Sequence, residues 1–299
     1  MSEPSSRLAS GLRAARLGVL ANAALAIVKG VAGVLGHSFA LVADAVESLA
    51  DILGSAVVWG GLRVSSQGAD ADHPYGHGKA EPLAAAAVGA LLLAAAVGIA
   101  VQGVRGVLSP GEPPAAWTLA ILATVIVTKE FLFRRVLRVS DALGSTAVMA
   151  DAWHHRADAL SSFAAFVGIA MAVLGGEGWG WADDGAALVA AVIIAANGWR
   201  IARPAVPDLM DGAPDGALVA RVRDVAEAVP GVRRTEKLLA RKVGTRFLVD
   251  LHVHADPMLT LHDAHLLGGI VKTAIRTAIP SVENVLVHME PDESGESAP

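Results

Sequence analysis

The 299-residue chain has no cysteine, a single tyrosine and only 4% aromatic residues. Without thiols there are no disulfides, zinc ribbons or thiolate copper(I) sites, so any metal must be held by imidazole and carboxylate. Charge is scarce too: Asp, Glu, Lys and Arg make up 18% of the residues against 54% hydrophobic, and mean hydropathy is +0.51. Much of the surface must therefore face lipid. The net charge of −5 is mild, and no basic stripe with interleaved aromatics marks a nucleic-acid partner. No His-Glu-x-x-His helix is present either, which argues against an intramembrane metallohydrolase.

What is present is a set of six apolar runs, roughly 11–35, 38–62, 80–108, 115–138, 143–173 and 179–201. Each meets the requirement of about 20 residues for a helix crossing the hydrocarbon core. Their Ala, Gly and Val content suits close helix packing. The first run follows Arg7, Arg13 and Arg16 without a clear cleavage site and reads as a retained helix. Arg63, Lys79, Arg134, Arg135, Arg138, Arg200 and Arg203 gather in alternate loops, so both termini are expected in the cytoplasm, with the chain multi-pass in the inner membrane. Arg105 is the exception, read as a snorkelling side chain. Pro204 and Pro207 are expected to close the membrane part.

Within two of these runs one polar cassette is written twice. Ala43-Asp44-Ala45-Val46-Glu47-Ser48-Leu49-Ala50-Asp51 recurs as Ala150-Asp151-Ala152-Trp153-His154-His155-Arg156-Ala157-Asp158. Positions two, five and nine of each copy share a helix face at about 100° per residue. Ionisable groups inside a spanning helix are costly and mark ion paths or proton relays. Glu47, Asp51, His154 and Asp158 supply the oxygen and nitrogen donors of a divalent transition-metal site. No lysine or arginine near them in sequence balances the carboxylates, and Arg156 lies on another face. Asp44 and Asp151 serve either a second shell, a proton route or polar helix packing, and His155 reads as an interfacial polar residue.

Two further constellations carry imidazole. Asp70, His73 and His77 lie in a turn-rich connection between the second and third runs, where a weak zinc site and a solvated loop both fit the spacing. After about Asp208 the pattern is that of a water-facing domain: a helix over 215–229, strands at 235–242 and 246–254, a helix from Thr260 to Ala278, and a strand at 282–290. Five of the ten histidines fall here. His252, His265, His288 and Glu290 are expected to hold metal, while for His254 and His262 metal binding and a role as exposed polar residues both stay open.

The cassettes, the loop His73-Pro74-Tyr75-Gly76-His77-Gly78-Lys79-Ala80-Glu81 and the closing Val287-His288-Met289-Glu290-Pro291 together resemble the cation diffusion facilitator family, from about residue 11 to 291. The resemblance implies an α-helical membrane protein: a cytoplasmic tail (1–10), a six-helix transport domain (11–207), a cytoplasmic ferredoxin-like αββαβ domain that dimerises and binds metal (208–292), and a disordered tail (293–299). It implies a transport site at Glu47, Asp51, His154 and Asp158 and a loop site at Asp70, His73 and His77. It also implies a cytoplasmic site at His252, His265, His288 and Glu290, with Glu236 as a further position, and a hinge contact between Lys79 and Asp211. Glu47 stands where zinc-transporting members usually show Asp or His, and Glu236 stands where a first-strand histidine is common.

The expected activity is proton-coupled export of a divalent metal by a homodimer, Zn²⁺ foremost, with Fe²⁺, Mn²⁺, Co²⁺ or Cd²⁺ as competitors. No organic cofactor is expected, and metal serves as both substrate and regulatory ligand. The rival reading is a non-transporting, membrane-anchored metal sensor or scaffold.

Overall fold

The computed structural model describes Leu20 and residues 22–293, except positions 66, 110, 144, 145, 177 and 245. The side chains at 55, 58, 59, 62, 139–143, 146–152 and 154 also lie outside the description, as do the expected tails except Glu293. Six helices come first. α1 is described over Asn22–Leu35; α2 (Phe39–Ser65), α3 (Ala80–Leu108), α4 (Trp117–Leu143), α5 (Thr146–Leu174) and α6 (Trp181–Leu209) follow. Among the described residues, three stretches combine the length and apolarity of a span: Ala80–Leu108, His155–Leu174 and Trp181–Leu209. α2 and α4 are as long, at 27 residues each, but carry Asp44, Glu47 and Asp51, and Lys129, Glu130, Arg134 and Arg135. The residues that lower their hydropathy are the ones able to do chemistry.

The chain forms two compact units, one from the chain up to Ala56 with Ala87–Ile201, the other from Val57–Ala86 with Ala202 onward. In the first unit two apolar seams meet on α2. Ala43 and Ala50 pack with Leu92, Ala96 and Ile99 of α3 and with Ala187, Ala191 and Ile194 of α6. Ala40 and Leu41 pack with Ala32 of α1, Leu122 and Val125 of α4, and Ala165 and Ile169 of α5. Small side chains permit this closeness: a Cβ on Gly168 would lie 2.4 Å from Ala186 Cβ. The seams leave α2 central, so its polar face is enclosed by neighbouring helices and not by lipid.

Pro204 and Pro207 do not end the last of these helices. α6 runs through both to Leu209, because proline's fixed φ matches a helix even though each ring removes one N–H donor. The end comes at Asp211, whose φ of +53° is the left-handed cap conformation, with Gly212 N–H donating to Pro207 O at 2.8 Å.

The second unit contains the α+β domain: α7 (Gly216–Glu227), β1 (Arg234–Val243), β2 (Arg246–Ala255), α8 (Leu261–Ala278) and β3 (Val282–Pro291). The order is the expected αββαβ. The sheet runs β1-β2-β3, with β1 and β2 antiparallel and β2 and β3 parallel. Val249, Leu251 and Val253 are buried with Val222 and Ala226 of α7 and Leu267, Val271 and Ile275 of α8. Strand alternation turns His252 and His254 to the opposite face.

Candidate metal centres

Two hydroxyls join α2 to α5. Ser161 donates to Glu47 Oε2, and Ser162 Oγ donates to both carboxylate oxygens of Asp44, at 3.0 and 2.9 Å. The carboxylates of Asp44, Asp51 and Asp158 all lie within electrostatic reach of Glu47. Glu47 and Asp158 are buried and Asp51 is half-buried. The backbone of His154 places it one helical turn before Asp158 on α5; its side chain, like that of Asp151, lies outside the described residues. His155 is buried at 1% exposure, against the expectation of an interfacial residue, because α5 is packed on that side. Arg156 points its guanidinium at the rings of Phe133 and Trp153, 4.9 and 5.6 Å from their centroids.

The expected lack of a nearby cation is corrected by two lysines from other helices. Lys29 of α1, with 0% exposure, places Nζ 2.8 Å from Asp44 Oδ2, 2.6 Å from Ser48 Oγ and 2.9 Å from Asp44 O. Lys129 of α4, with 1% exposure, places Nζ 2.5 Å from Asp158 Oδ2 and 2.8 Å from Asn22 Oδ1. Both pairings span many residues in sequence, which hid them from local reading. Each lysine falls inside an apolar run of the sequence, and that position was the available signal.

In the loop, Asp70 Oδ1 accepts the backbone N–H groups of Asp72 and His73, at 3.0 and 2.6 Å, and thereby fixes the turn. The His73 N–H holds the Asp70 carboxyl below the usual carboxylate range. His73 Nδ1 and His77 Nε2 approach its two oxygens at 3.3 and 3.5 Å, and the imidazole rings lie 4.3 Å apart. His77 Nδ1 faces the Gly68 carbonyl at 3.3 Å, which accepts only, so Nδ1 carries the proton. That leaves the Nε2 lone pair facing a carboxylate oxygen, an arrangement satisfied by a second proton or by a metal ion. Donor atoms of all three residues fall within 4.8 Å of one another.

In the cytoplasmic-type domain the parallel register sets His252 beside His288 and His254 beside Glu290. Glu290 Oε1 lies 2.7 Å from His252 Nδ1 and 3.7 Å from His288 Nε2, while Oε2 lies 3.0 Å from His254 Nε2. The His252 hydrogen bond holds the Glu290 carboxyl below its ordinary pKa. Glu236 reaches His254 Nε2 at 3.1 Å and pairs with Arg234, whose hydrogen bond lowers the Glu236 pKa. Among the described residues, ligand-type clusters form at His252/His288/Glu290 and at Glu236/His254/Glu290. His254, open by sequence between a ligand and an exposed polar residue, is 5% exposed beneath Arg234 and the Pro291 carbonyl. His265 does not join either cluster. α8 covers the core face of the sheet, and the histidine strands point from the other, so His265 stands exposed on the opposite layer.

Residues 15–210 match the cation efflux transmembrane domain, and residues 214–292 match the cytoplasmic domain of cation efflux proteins. The chain belongs to the cation efflux family. It is 31% identical over 284 residues to the manganese efflux system protein MneP of Bacillus subtilis (strain 168), covering 93% of this chain and 95% of MneP. It is 32% identical over 294 residues to metal tolerance protein C1 of Arabidopsis thaliana, covering 92% of this chain but only 61% of that longer relative. Among solved structures it resembles a nickel form of a MamM C-terminal-domain variant, at 33% identity over 26% of this chain and 100% of that one, with a TM-score of 0.26.

In this cation efflux protein the loop before α3 is fastened to the β1–β2 turn and the end of α6. Lys79 Nζ lies 2.6 Å from Asp211 Oδ1 and also donates to the Asp208 carbonyl. Arg241 reaches Asp211 Oδ2 at 3.3 Å and lies over the Tyr75 ring, and Lys242 pairs with Asp208 at 2.7 Å. Lys79 holds the Asp211 carboxyl below its ordinary pKa. A depressed carboxylate contributes stability above its unfolded pKa, about 3.9, and loses it as pH falls through the lower folded value. Asp211→Asn should therefore melt earlier than wild type at neutral pH, by no more than about 1 kcal/mol for so exposed a pair. The two melting temperatures should converge on acidification below about pH 4. A gap that persists in acid would show that the side-chain charge is not what fastens the loop.

Sequence reading also missed Asp183 of α6. Its carboxylate accepts from Ser38 Oγ at 2.7 Å and from the N–H of Phe39 at 2.6 Å, capping the start of α2. The signal was an acid in the first turn of an apolar helix.

Proposed function

We propose that the chain exports a divalent transition-metal cation from the cytoplasm in exchange for protons, by alternating access of a site on α2 and α5. The observation that carries this reading is the Ser161–Glu47 and Ser162–Asp44 bridging of the two helices. It brings Glu47, Asp51 and Asp158 toward one place within the bundle, with His154 one turn from Asp158. Costly buried carboxylates from two helices serve a cargo and have no use in an anchor. The donor set of three carboxylates and one imidazole is oxygen-rich and suits Mn²⁺ or Fe²⁺ better than the Zn²⁺ expected first. A relative named as a manganese efflux protein supports that ordering. Protons entering from outside compete with the metal for the same oxygens and for His154, and release it there.

The loop and cytoplasmic clusters fit metal by donor type and spacing, and act as regulatory positions. His252, His288 and Glu290 form the better one, because Arg234 already supplies a cation to Glu236 beside the second. Dimerisation through the cytoplasmic domain accompanies this reading, as does an inner-membrane location with both termini in the cytoplasm.

The test is uptake into inside-out vesicles with an imposed pH gradient, comparing Mn²⁺, Fe²⁺, Zn²⁺, Co²⁺ and Mg²⁺. Gradient-dependent Mn²⁺ or Fe²⁺ accumulation exceeding that of Zn²⁺ is expected. Metal binding by the purified protein without flux of any ion would instead establish the sensor or scaffold reading.

A further inference from the structure

Lys129 stands near the middle of a 27-residue helix, about 20 Å from either end at 1.5 Å per residue. At 1% exposure its ammonium is shielded by the helices packed around it. Its position contrasts with that of Lys29. The three ammonium protons of Lys29 meet three acceptors, all on α2: Asp44 Oδ2, Asp44 O and Ser48 Oγ. That is a closed, saturated arrangement. Lys129 instead bridges two helices, touching Asp158 of α5 and the neutral amide oxygen of Asn22 of α1.

We propose that Lys129 is a positioning residue of the transport site. Its ammonium holds Asp158 in place of the cargo and yields that carboxylate when a divalent cation arrives, shifting its remaining contact onto Asn22. The proposal rests on Asp158 being a cargo ligand. A divalent ion bound at Asp158 and an ammonium 2.5 Å from the same oxygen are like charges a few ångströms apart in a poorly screened interior, so they exclude one another. Asn22 Oδ1, already 2.8 Å from Nζ, offers the displaced ammonium a partner that is neutral and a weaker metal donor than a carboxylate. The competition gives the empty carrier an internal counter-charge beside Asp158 while the site changes sides. Metal release is helped by the same group, which returns to Asp158 as the ion leaves.

The full-length protein, in detergent for binding and in proteoliposomes for flux, tests this with Mn²⁺ as probe. Lys129→Gln removes the competitor and should tighten Mn²⁺ binding about tenfold or more, the usual scale for losing one member of a buried charge pair. It should also slow net efflux while sparing metal–metal counterflow, which never requires the empty carrier to return. Lys129→Arg keeps the charge and should keep net efflux. Asn22→Leu removes the second acceptor, holds Lys129 on Asp158, and should weaken Mn²⁺ binding. Unchanged or weaker binding by Lys129→Gln, or net efflux and counterflow falling in parallel, would reduce Lys129 to a structural neutraliser and overturn the proposal. Should Lys129→Gln fail to fold, Asn22→Leu decides alone, and binding as tight as wild type overturns it. Asp158→Asn separates the two readings. If it binds Mn²⁺ like wild type, the cargo site itself is misplaced; if it loses binding while Lys129→Gln does not change it, only the role of Lys129 falls.

Discussion

Glu47→Gln is expected to cut metal flux by about 100-fold or more, the upper end of what loosening a ligand's support costs, while making the protein more stable. The two effects share one cause. Glu47 is buried, accepts one hydroxyl from Ser161, and faces the carboxylates of Asp44, Asp51 and Asp158. The lysines that reach this region spend their contacts on Asp44 and Asp158. A glutamine keeps an oxygen for Ser161 and loses the repulsion, for a gain of about 1 kcal/mol, typical of relieving strain stored at a functional site. Asp158→Asn should behave differently. It also lowers flux by about 100-fold, but it strands the Lys129 ammonium at 1% exposure and costs about 3–5 kcal/mol, as breaking a buried pair does. Thermal melting in detergent, alongside flux in proteoliposomes, reads both signs. A Glu47→Gln protein that melts earlier than wild type, or transports as fast, would remove Glu47 from the site.

How far the sequence led can be judged from these same residues. The cassette on α2 and α5 was legible because helix periodicity is local: Asp44, Glu47 and Asp51 share a face whatever surrounds them. The strand alternation around His252 was legible for the same reason, and Val249, Leu251 and Val253 are buried where the period of two places them. The partners of those polar groups were not legible, since Lys29 meets Asp44 and Lys129 meets Asp158 only after helices distant in sequence have packed. His254 shows the limit within the sheet. Alternation sets it on the outward face, but Arg234 across the β1–β2 ladder and the chain end at Pro291 cover it. His265 shows the converse: a histidine close in sequence to the cluster lies on the far layer, because α8 needs its apolar stripe of Leu267, Val271 and Ile275 against the core.

Lys29→Met should destabilise the membrane domain by about 3–5 kcal/mol, as breaking a buried ion pair does. The substitution leaves the Asp44 carboxylate at 2% exposure with, among the described residues, the Ser162 hydroxyl to satisfy it. Removing the partner as well reverses most of the damage, because a buried ion pair replaced by apolar groups of similar size is often close to neutral. Lys29→Met with Asp44→Leu is therefore expected to melt near wild type, and the double-mutant cycle gives the coupling directly. The cycle also decides what Asp44 is for. It lies one turn before Glu47 on the same face, so by spacing alone it looks like another ligand or a proton carrier. Its carboxylate, however, is held by Lys29 on one side and Ser162 on the other, tying α1, α2 and α5 together. If that is its whole task, the double variant keeps metal flux within a few-fold of wild type, while Glu47→Gln does not. A stable double variant that has lost flux would place Asp44 on the proton or metal path, with Lys29 serving to poise it there.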